Sequence, residues 1–302
     1  MIAKVIDGIS YAESLTYEVS EWVRYLSETS GFVPGLVMIV LGNNPVSSAY
    51  VSVKSKKAKM VGMHSCAHWL SECTTQHTIL SLINELNDDD RVDGILVQLP
   101  LPSHISGLSV SSIISSEKDV DGLGIINTGR LFVTNPTNGL IPCTPLACMR
   151  LLKAVCSDLS GLNAVILGRS RLVGRPMSQL LLNEDCTVTI AHSRTGKLRE
   201  ICKRADILVV AVGVPGLVKA DWVKPGAIVI DVGINYIADT SDKSGASRIV
   251  GDVDFSEVRN VAGAITPVPG GVGPMTVSVL LANTLVAAMS RRGLRSNMKL
   301  LP

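Results

Sequence analysis

The chain has 302 residues, 46% of them hydrophobic but only 4% aromatic, with a formal net charge of +2. That length suits two domains with ample core, and the near-neutral charge gives no electrostatic footprint for nucleic acid or an anionic membrane. The apolar mass is Val, Ile, Leu and Ala, as parallel strands buried on both faces require.

In chain order, "GLVMIVLG" (35–42) predicts a strand. "PVSSAYVSVKSKKAKMVG" (45–62) predicts a helix, with Ser47 or Ser48 near its start and Gly62 at its end. "TTQHTILSLINELN" predicts another helix, and "VDGILVQLP" (92–100) a strand stopped by Pro100. A loop-rich stretch then runs to about Pro142, and "TPLACMRLLKAV" (144–155) predicts a helix. A second block begins with a strand at "NAVILG" (163–168) and a helix at "GRPMSQLLLN" (174–183), with Pro176 in its first turn. "TVTIAHS" (187–193), "DILVVAVG" (206–213) and "AIVIDVG" (227–233) predict further strands, and the last helix starts near Pro274. The alternation implies an α/β fold: two α/β domains with parallel sheets and right-handed crossovers, the central one Rossmann-like.

The longest apolar run, Val277 to Met289, is interrupted by Ser278, Asn283 and Thr284. It falls short of the ~20 residues a membrane span needs and reads as a buried helix. Seven cysteines, an odd count without a C-x-x-C pair, suit a reducing compartment. The start "MIAKVIDG" shows neither signal nor transit pattern, and "KLLP" at the end is no recognised address, so the expectation is cytoplasmic.

The chemistry concentrates in a few segments. "VILGRSRLVGRP" (165–176) ends a strand at Gly168 and opens a helix, where α/β sheets bind phosphates, although its glycines fit neither G-x-G-x-x-G nor a P-loop. The alternative is an ordinary strand–helix turn. The next strand ends His192-Ser193-Arg194, with no acid to hold a ribose 2′-hydroxyl. Arg169 and Arg194 are planar cations suited to a 2′-phosphate, which favours NADP; otherwise they are solvated surface arginines.

In the first block, Tyr50 and Lys54 lie four apart on the predicted helix, with Cβ atoms about 5–6 Å apart on one face. Lys54 is either functional or one of several solvated lysines with Lys56, Lys57 and Lys59. "VQLPLP" (97–102) puts Gln98 near a strand's C-terminal end, as a site or a rim residue. "KDVDGLG" (118–124) offers Asp119 and Asp121, as ligands or as an Asp turn. "TPVPGGVGPMT" (266–276) is rigid and lets a flat ligand approach its backbone, or else is a hinge.

These segments, with "PCTP", "KPGAIVIDVGIN" and "GDVDF", resemble in order and spacing the bifunctional methylenetetrahydrofolate dehydrogenase/methenyltetrahydrofolate cyclohydrolase family over nearly the whole chain. The resemblance implies a folate-binding catalytic domain from residues 1–147 plus 277–302, an NADP-binding domain from 148–276, a cleft between them, and a homodimer through the central domains. It implies Lys54 as the catalytic lysine, Gln98 as its partner, Tyr50 stacked on the folate ring and Asp121 on the pterin. Val97, Leu99, Pro269, Gly270, Gly271 and Gly273 would line the folate. Gly168, Arg169, Ser170, Ser193, Arg194 and Ile234 would hold NADP. It implies no metal, no nucleic acid and no membrane; the substrates are tetrahydrofolates, polyglutamylated forms included. The segment "ADTSDKSGASR" (238–248) and the cysteines follow no motif with an expected role.

Two other classes compete. A monofunctional NAD-dependent dehydrogenase of the same family would not call for the two arginines together with Lys54 and Gln98. A non-catalytic folate- or nucleotide-binding protein would need no Lys54. NADPH formation separates enzyme from binder. Nothing after Pro302 and no P-loop leads us to expect an ATP-dependent synthetase activity.

Overall fold

The structure, a computed structural model, describes residues 2–133, 139–238 and 247–294. The "KLLP" end and most of 238–248 lie outside the described residues. In order, the elements are β1 (Lys4–Val5), α1 (Gly8–Ser30), β2 (Gly35–Leu41), α2 (Pro45–Met60), β3 (His64–Leu70), α3 (Gln76–Asp88) and β4 (Gly94–Val97). They are followed by α4 (Gly107–Ile113), α5 (Ile125–Val133), α6 (Cys143–Lys153), β5 (Asn163–Leu167), α7 (Gly174–Leu182), β6 (Thr187–Ala191) and α8 (Leu198–Cys202). The last are β7 (Ile207–Val210), β8 (Ile228–Asp231), β9 (Asn235–Ala238), β10 (Ser247–Val250), α9 (Phe255–Val258), β11 (Ala264–Ile265) and α10 (Val272–Arg291).

The chain divides into two compact units. Among the described residues, one holds those up to Ala12 and Thr144–Thr276; the other holds Glu13–Cys143 and residues 277–294. This grouping departs from the expected 1–147 at the N-terminus. There Lys4 and Val5 pair in parallel with Ala264 and Ile265, so the first strand joins the sheet of the central domain. A two-residue strand has too little pattern to announce its partner.

In the second of these units, β2 lies between β3 and β4, all parallel. All seven residues of β2 are buried. Val37, Ile39 and Leu41 pack with Ile79 and Ile83 of α3 and with Ile95, and each such buried side chain contributes about 1.5–3 kcal/mol. Asp119 bridges Ile95 beside β4, with Ile95 N donating to Lys118 O at 2.8 Å, so the 118–124 loop runs along the sheet edge. Helix α2 is capped by Asn44, whose side chain accepts from Val46 N and Ser47 N, and Ser47 and Ser48 lie near its start as expected. Pro45 occupies the first turn, which moves the cap one residue ahead of it. The expected Gly62 does follow the helix end, with φ +86°.

The polar residues that interrupt the last apolar run are buried members of α10. Ser278 Oγ and Thr16 Oγ1 share a hydrogen bond of 2.8 Å, and Thr284 Oγ1 donates to Leu280 O at 2.8 Å. Among the described residues this helix alone is long and apolar enough to cross a membrane, and it is mostly buried within the protein.

The other unit carries the parallel sheet β1-β11-β8-β7-β5-β6. Val165, Leu167, Leu208, Val210 and Val229 form its core with Val258 of α9. β9 and β10 form a separate antiparallel pair.

Candidate active site

The C-terminal end of β4 delivers Gln98, whose backbone N–H donates to Ile39 O at 2.9 Å. The end of β2 leads into α2, which delivers Lys54. Lys54 Nζ donates to Gln98 Oε1 at 2.9 Å, and Gln98 Nε2 donates to Leu99 O at 2.7 Å. The second bond fixes which end of the amide faces the lysine. Lys54, Gln98, Tyr50, Val97 and Leu99 are all half-buried, whereas Lys56 and Lys59 are exposed. The structure therefore separates Lys54 from two of the three lysines beside it.

The two aspartates of "KDVDGLG" separate as clearly. Asp119 is buried and accepts from Leu123 N at 3.2 Å, Gly124 N at 2.9 Å and Asn127 Nδ2 at 2.9 Å. It is the Asp of the turn. Burial pushes its carboxyl up to about 6 against the pull of those hydrogen bonds. Asp121 is left half-buried. Lys118 is consumed structurally, donating to the carbonyls of Leu86, Asn87 and Asp89 at 3.0, 2.7 and 2.8 Å.

Two residues of this region were given no role from sequence. Cys143 is buried and its Sγ donates to Val120 O at 3.2 Å. Burial pushes its thiol well above the usual range; the Asp121 charge adds to this and the Lys54 charge opposes it, so both act on one sulfur. Asn283 of α10 donates from Nδ2 to Val120 O at 2.8 Å and Ile141 O at 2.9 Å, which fixes the backbone just before Asp121. Its Oδ1 is buried without a hydrogen-bond partner. "PCTP" was visible as a motif, but nothing in the sequence pairs residue 283 with residue 120.

In the central unit, Gly168 ends β5 with φ +117°, and a Cβ there would overlap the Ala211 carbonyl. Only glycine fits this turn. Ser170 Oγ accepts from Val173 N at 3.1 Å and Gly174 N at 3.4 Å at the start of α7. After β6 the chain turns tightly: Arg194 N donates to His192 Nδ1 at 3.2 Å and His192 N to Thr195 Oγ1 at 3.0 Å. Arg169, Ser170, Ser193 and Arg194 are exposed, and Ile234 follows β8 at 43% exposure. Gly168, Ser193–Arg194 and Ile234 thus follow three strands of one parallel sheet at their C-terminal ends, where such sheets bind ligands. A Cβ-free turn, a helix start and exposed cations suit the phosphates of a dinucleotide. In the same unit Pro269 is exposed, Gly270 and Gly273 are half-buried and Gly271 is buried. A Cβ at Gly273 would meet nothing within 4 Å, so packing within the protein does not demand glycine there.

The catalytic domain of the tetrahydrofolate dehydrogenase/cyclohydrolase family matches residues 6–121, and the family's NAD(P)-binding domain matches residues 142–292. The chain is 54% identical over 288 residues to the bifunctional protein FolD of Agrobacterium fabrum strain C58, covering 95% of this chain and 96% of that one. Among solved structures, the bifunctional FolD methylenetetrahydrofolate dehydrogenase/cyclohydrolase of Campylobacter jejuni is 45% identical with a TM-score of 0.90, covering 96% of this chain and 99% of that one. The FolD of Trypanosoma brucei, solved with NADP cofactor and an inhibitor, is 42% identical with a TM-score of 0.91, covering 98% and 100%. With both domains matched in sequence and the fold shared end to end, the chain belongs to the tetrahydrofolate dehydrogenase/cyclohydrolase family.

Proposed function

We propose that the two activities of this enzyme use one folate site built around Lys54. These are oxidation of 5,10-methylenetetrahydrofolate to 5,10-methenyltetrahydrofolate with NADP, and hydrolysis of that product to 10-formyltetrahydrofolate. The observation that carries the reading is the 2.9 Å hydrogen bond from Lys54 Nζ to Gln98 Oε1. It aims a half-buried amine at a neutral partner, which orients the lysine through a single directional bond.

NADP, when bound, supplies the hydride acceptor. Oxidation at the methylene carbon leaves a positive charge shared by the two flanking nitrogens, so the chain's part in this step is orientation. Tyr50 stacks on the folate ring, Asp121 accepts hydrogen bonds from the pterin edge, and Val97 and Leu99 line the ligand. Hydrolysis needs more. Lys54 Nζ takes a proton from the attacking water and returns one to the nitrogen that leaves the carbon.

Arg169 and Arg194 hold the 2′-phosphate, with Ser170 and Ser193 as hydroxyl donors; the absence of an acid in 192–195 supports NADP over NAD. A homodimer formed through the central domains agrees with the exposed Leu182 and Ile190 near the β6 edge of its sheet. Polyglutamylated folates agree with the exposed cations Lys56 and Lys59 on the helix of Lys54. Seven free thiols agree with a cytoplasmic, reducing location.

Gln98→Met tests the reading. It removes the amide but keeps much of the side chain's bulk. Cyclohydrolase kcat should fall by about tenfold, within the range of acid–base effects, while dehydrogenase kcat changes less. An equal loss in both, or none, contradicts an orienting role for Gln98.

A further inference from the structure

One buried carboxylate that the folate and cofactor readings leave unused ties together the loops after β7 and β8. Asp252 is fully buried. Its Oδ2 accepts from Val212 N at 2.7 Å and Gly213 N at 2.9 Å, and its Oδ1 accepts from Asn235 Nδ2 at 2.8 Å. Its own N–H donates at 3.0 Å to Asp231 Oδ1, and Asp231 also accepts from Gly233 N at 2.9 Å and Val253 N at 3.0 Å. A Cβ at Gly233 would overlap Asp252, so the two segments are in direct contact.

Val212–Gly213 follow β7 and Gly233–Asn235 follow β8, at the sheet edge that also carries Gly168 and His192–Arg194. Ile234 lies between two residues held by this network and is 43% exposed; Val214, one past Gly213, is 46% exposed. Both are apolar side chains left in solvent on an edge otherwise lined by Arg, Ser and His, and a flat heteroaromatic ring is the ligand chemistry that covers such surfaces. A buried carboxylate is costly unless every bond it makes is satisfied, and here its three acceptor contacts all go to the two loops.

We propose that Asp252 is a positioning residue for the dinucleotide: by fixing the β7 and β8 loops to each other it sets the placement of Val214 and Ile234 against the cofactor's rings. The inference rests on the NADP reading of this edge.

The test is NADP titration of the full-length protein by calorimetry, with urea midpoints and folate KM measured alongside. Asp252→Asn sets an amide N–H against donors, and the NADP Kd should rise by on the order of tenfold, the loss of one charge-assisted contact. Adding Asn235→Asp reverses the polarity of the pair, so the amide at 252 again faces an acceptor, and the Kd should return to within about threefold of the unaltered protein. Folate KM should stay near its starting value throughout. If Asp252→Asn does not fold, Asn235→Ala, which removes one of the three contacts, replaces it and should raise Kd by about threefold. The proposal is overturned if a folded variant loses stability while NADP affinity stays the same, or if the paired variant regains stability without regaining affinity. An unaltered protein that fails to bind NADP overturns the cofactor reading itself, and this inference with it.

Discussion

Asp121 and Asp119 stand two apart in one loop, yet only Asp119 is used up by the fold, through three bonds to Leu123, Gly124 and Asn127. The residue pattern offered a ligand and a turn for the pair, and only the family resemblance singled out Asp121, because the turn bonds to Leu123, Gly124 and Asn127 exist only in the folded loop. A charged hydrogen bond contributes roughly 1.5–3 kcal/mol, so Asp121→Ala should raise folate KM in both reactions by on the order of 10–100-fold. NADP affinity should stay near normal; an unchanged folate KM would assign Asp121 to the turn as well. The arginines at the other site make a prediction of the same size. Replacing Arg169 and Arg194 together by Ala should raise KM for NADP at least about tenfold more than KM for NAD. Comparable efficiency with NADP and NAD in the unaltered enzyme would remove the case for a 2′-phosphate site.

Among the elements, strands and helices with dense apolar periodicity were legible, and the strand ends were not. β6, β7 and β8 stop at Ala191, Val210 and Asp231, two or three residues short of the expected 193, 213 and 233. The missing residues leave the ladder for the turns where Ser193, Gly213 and Gly233 stand, which is where an α/β sheet keeps its binding residues. α1 received no assignment, although Ala12, Leu15, Val19, Val23 and Leu26 recur at helical spacing and are all buried. β3 is an edge strand in which no residue is fully buried and polar and apolar residues are mixed, and its pattern gave little to read.

Two buried carboxyls, in the 118–124 loop and at the end of β8, carry a pH signature. Burial raises the carboxyls of Asp119 and Asp231 from 3.8 to about 6, so between these values the folded chain binds more protons than the unfolded one. Stability from each therefore falls as pH rises from about 4 to about 6 and stays lost above it, by at most on the order of 3 kcal/mol for a shift of roughly two units. Asp254, held down to about 2 by its bond to Lys219, has the opposite sign and a lower window: its contribution is present above about 4 and lost as pH falls towards 2. Asp119→Asn lowers stability overall, but its urea midpoint should decline less between pH 4 and pH 7 than that of the unaltered protein. An identical pH slope in both would contradict a buried, proton-retaining Asp119.

At the scale of the whole molecule, the order of motifs made the family and both domains legible before any coordinate was known. What the sequence withheld were contacts between distant positions: Lys4 with Ala264, Asn283 with Val120, Asp252 with Val212. None of these follows from local periodicity, because each joins segments that meet only after the sheets have assembled. The central claim is that a single lysine separates two reactions with different needs, and Lys54→Met addresses it directly. The variant keeps much of the side chain's length and apolar contact but has no amine. With both rates measured at saturating folate, cyclohydrolase activity should fall by about 10²–10⁴, dehydrogenase activity should survive to a much larger degree, and methenyltetrahydrofolate should accumulate and be seen by its absorbance. If both activities fall together and recover at high folate, Lys54 only attracts the substrate; if neither changes, it is a solvated helix lysine. Either result would contradict a shared site in which Lys54 moves the proton.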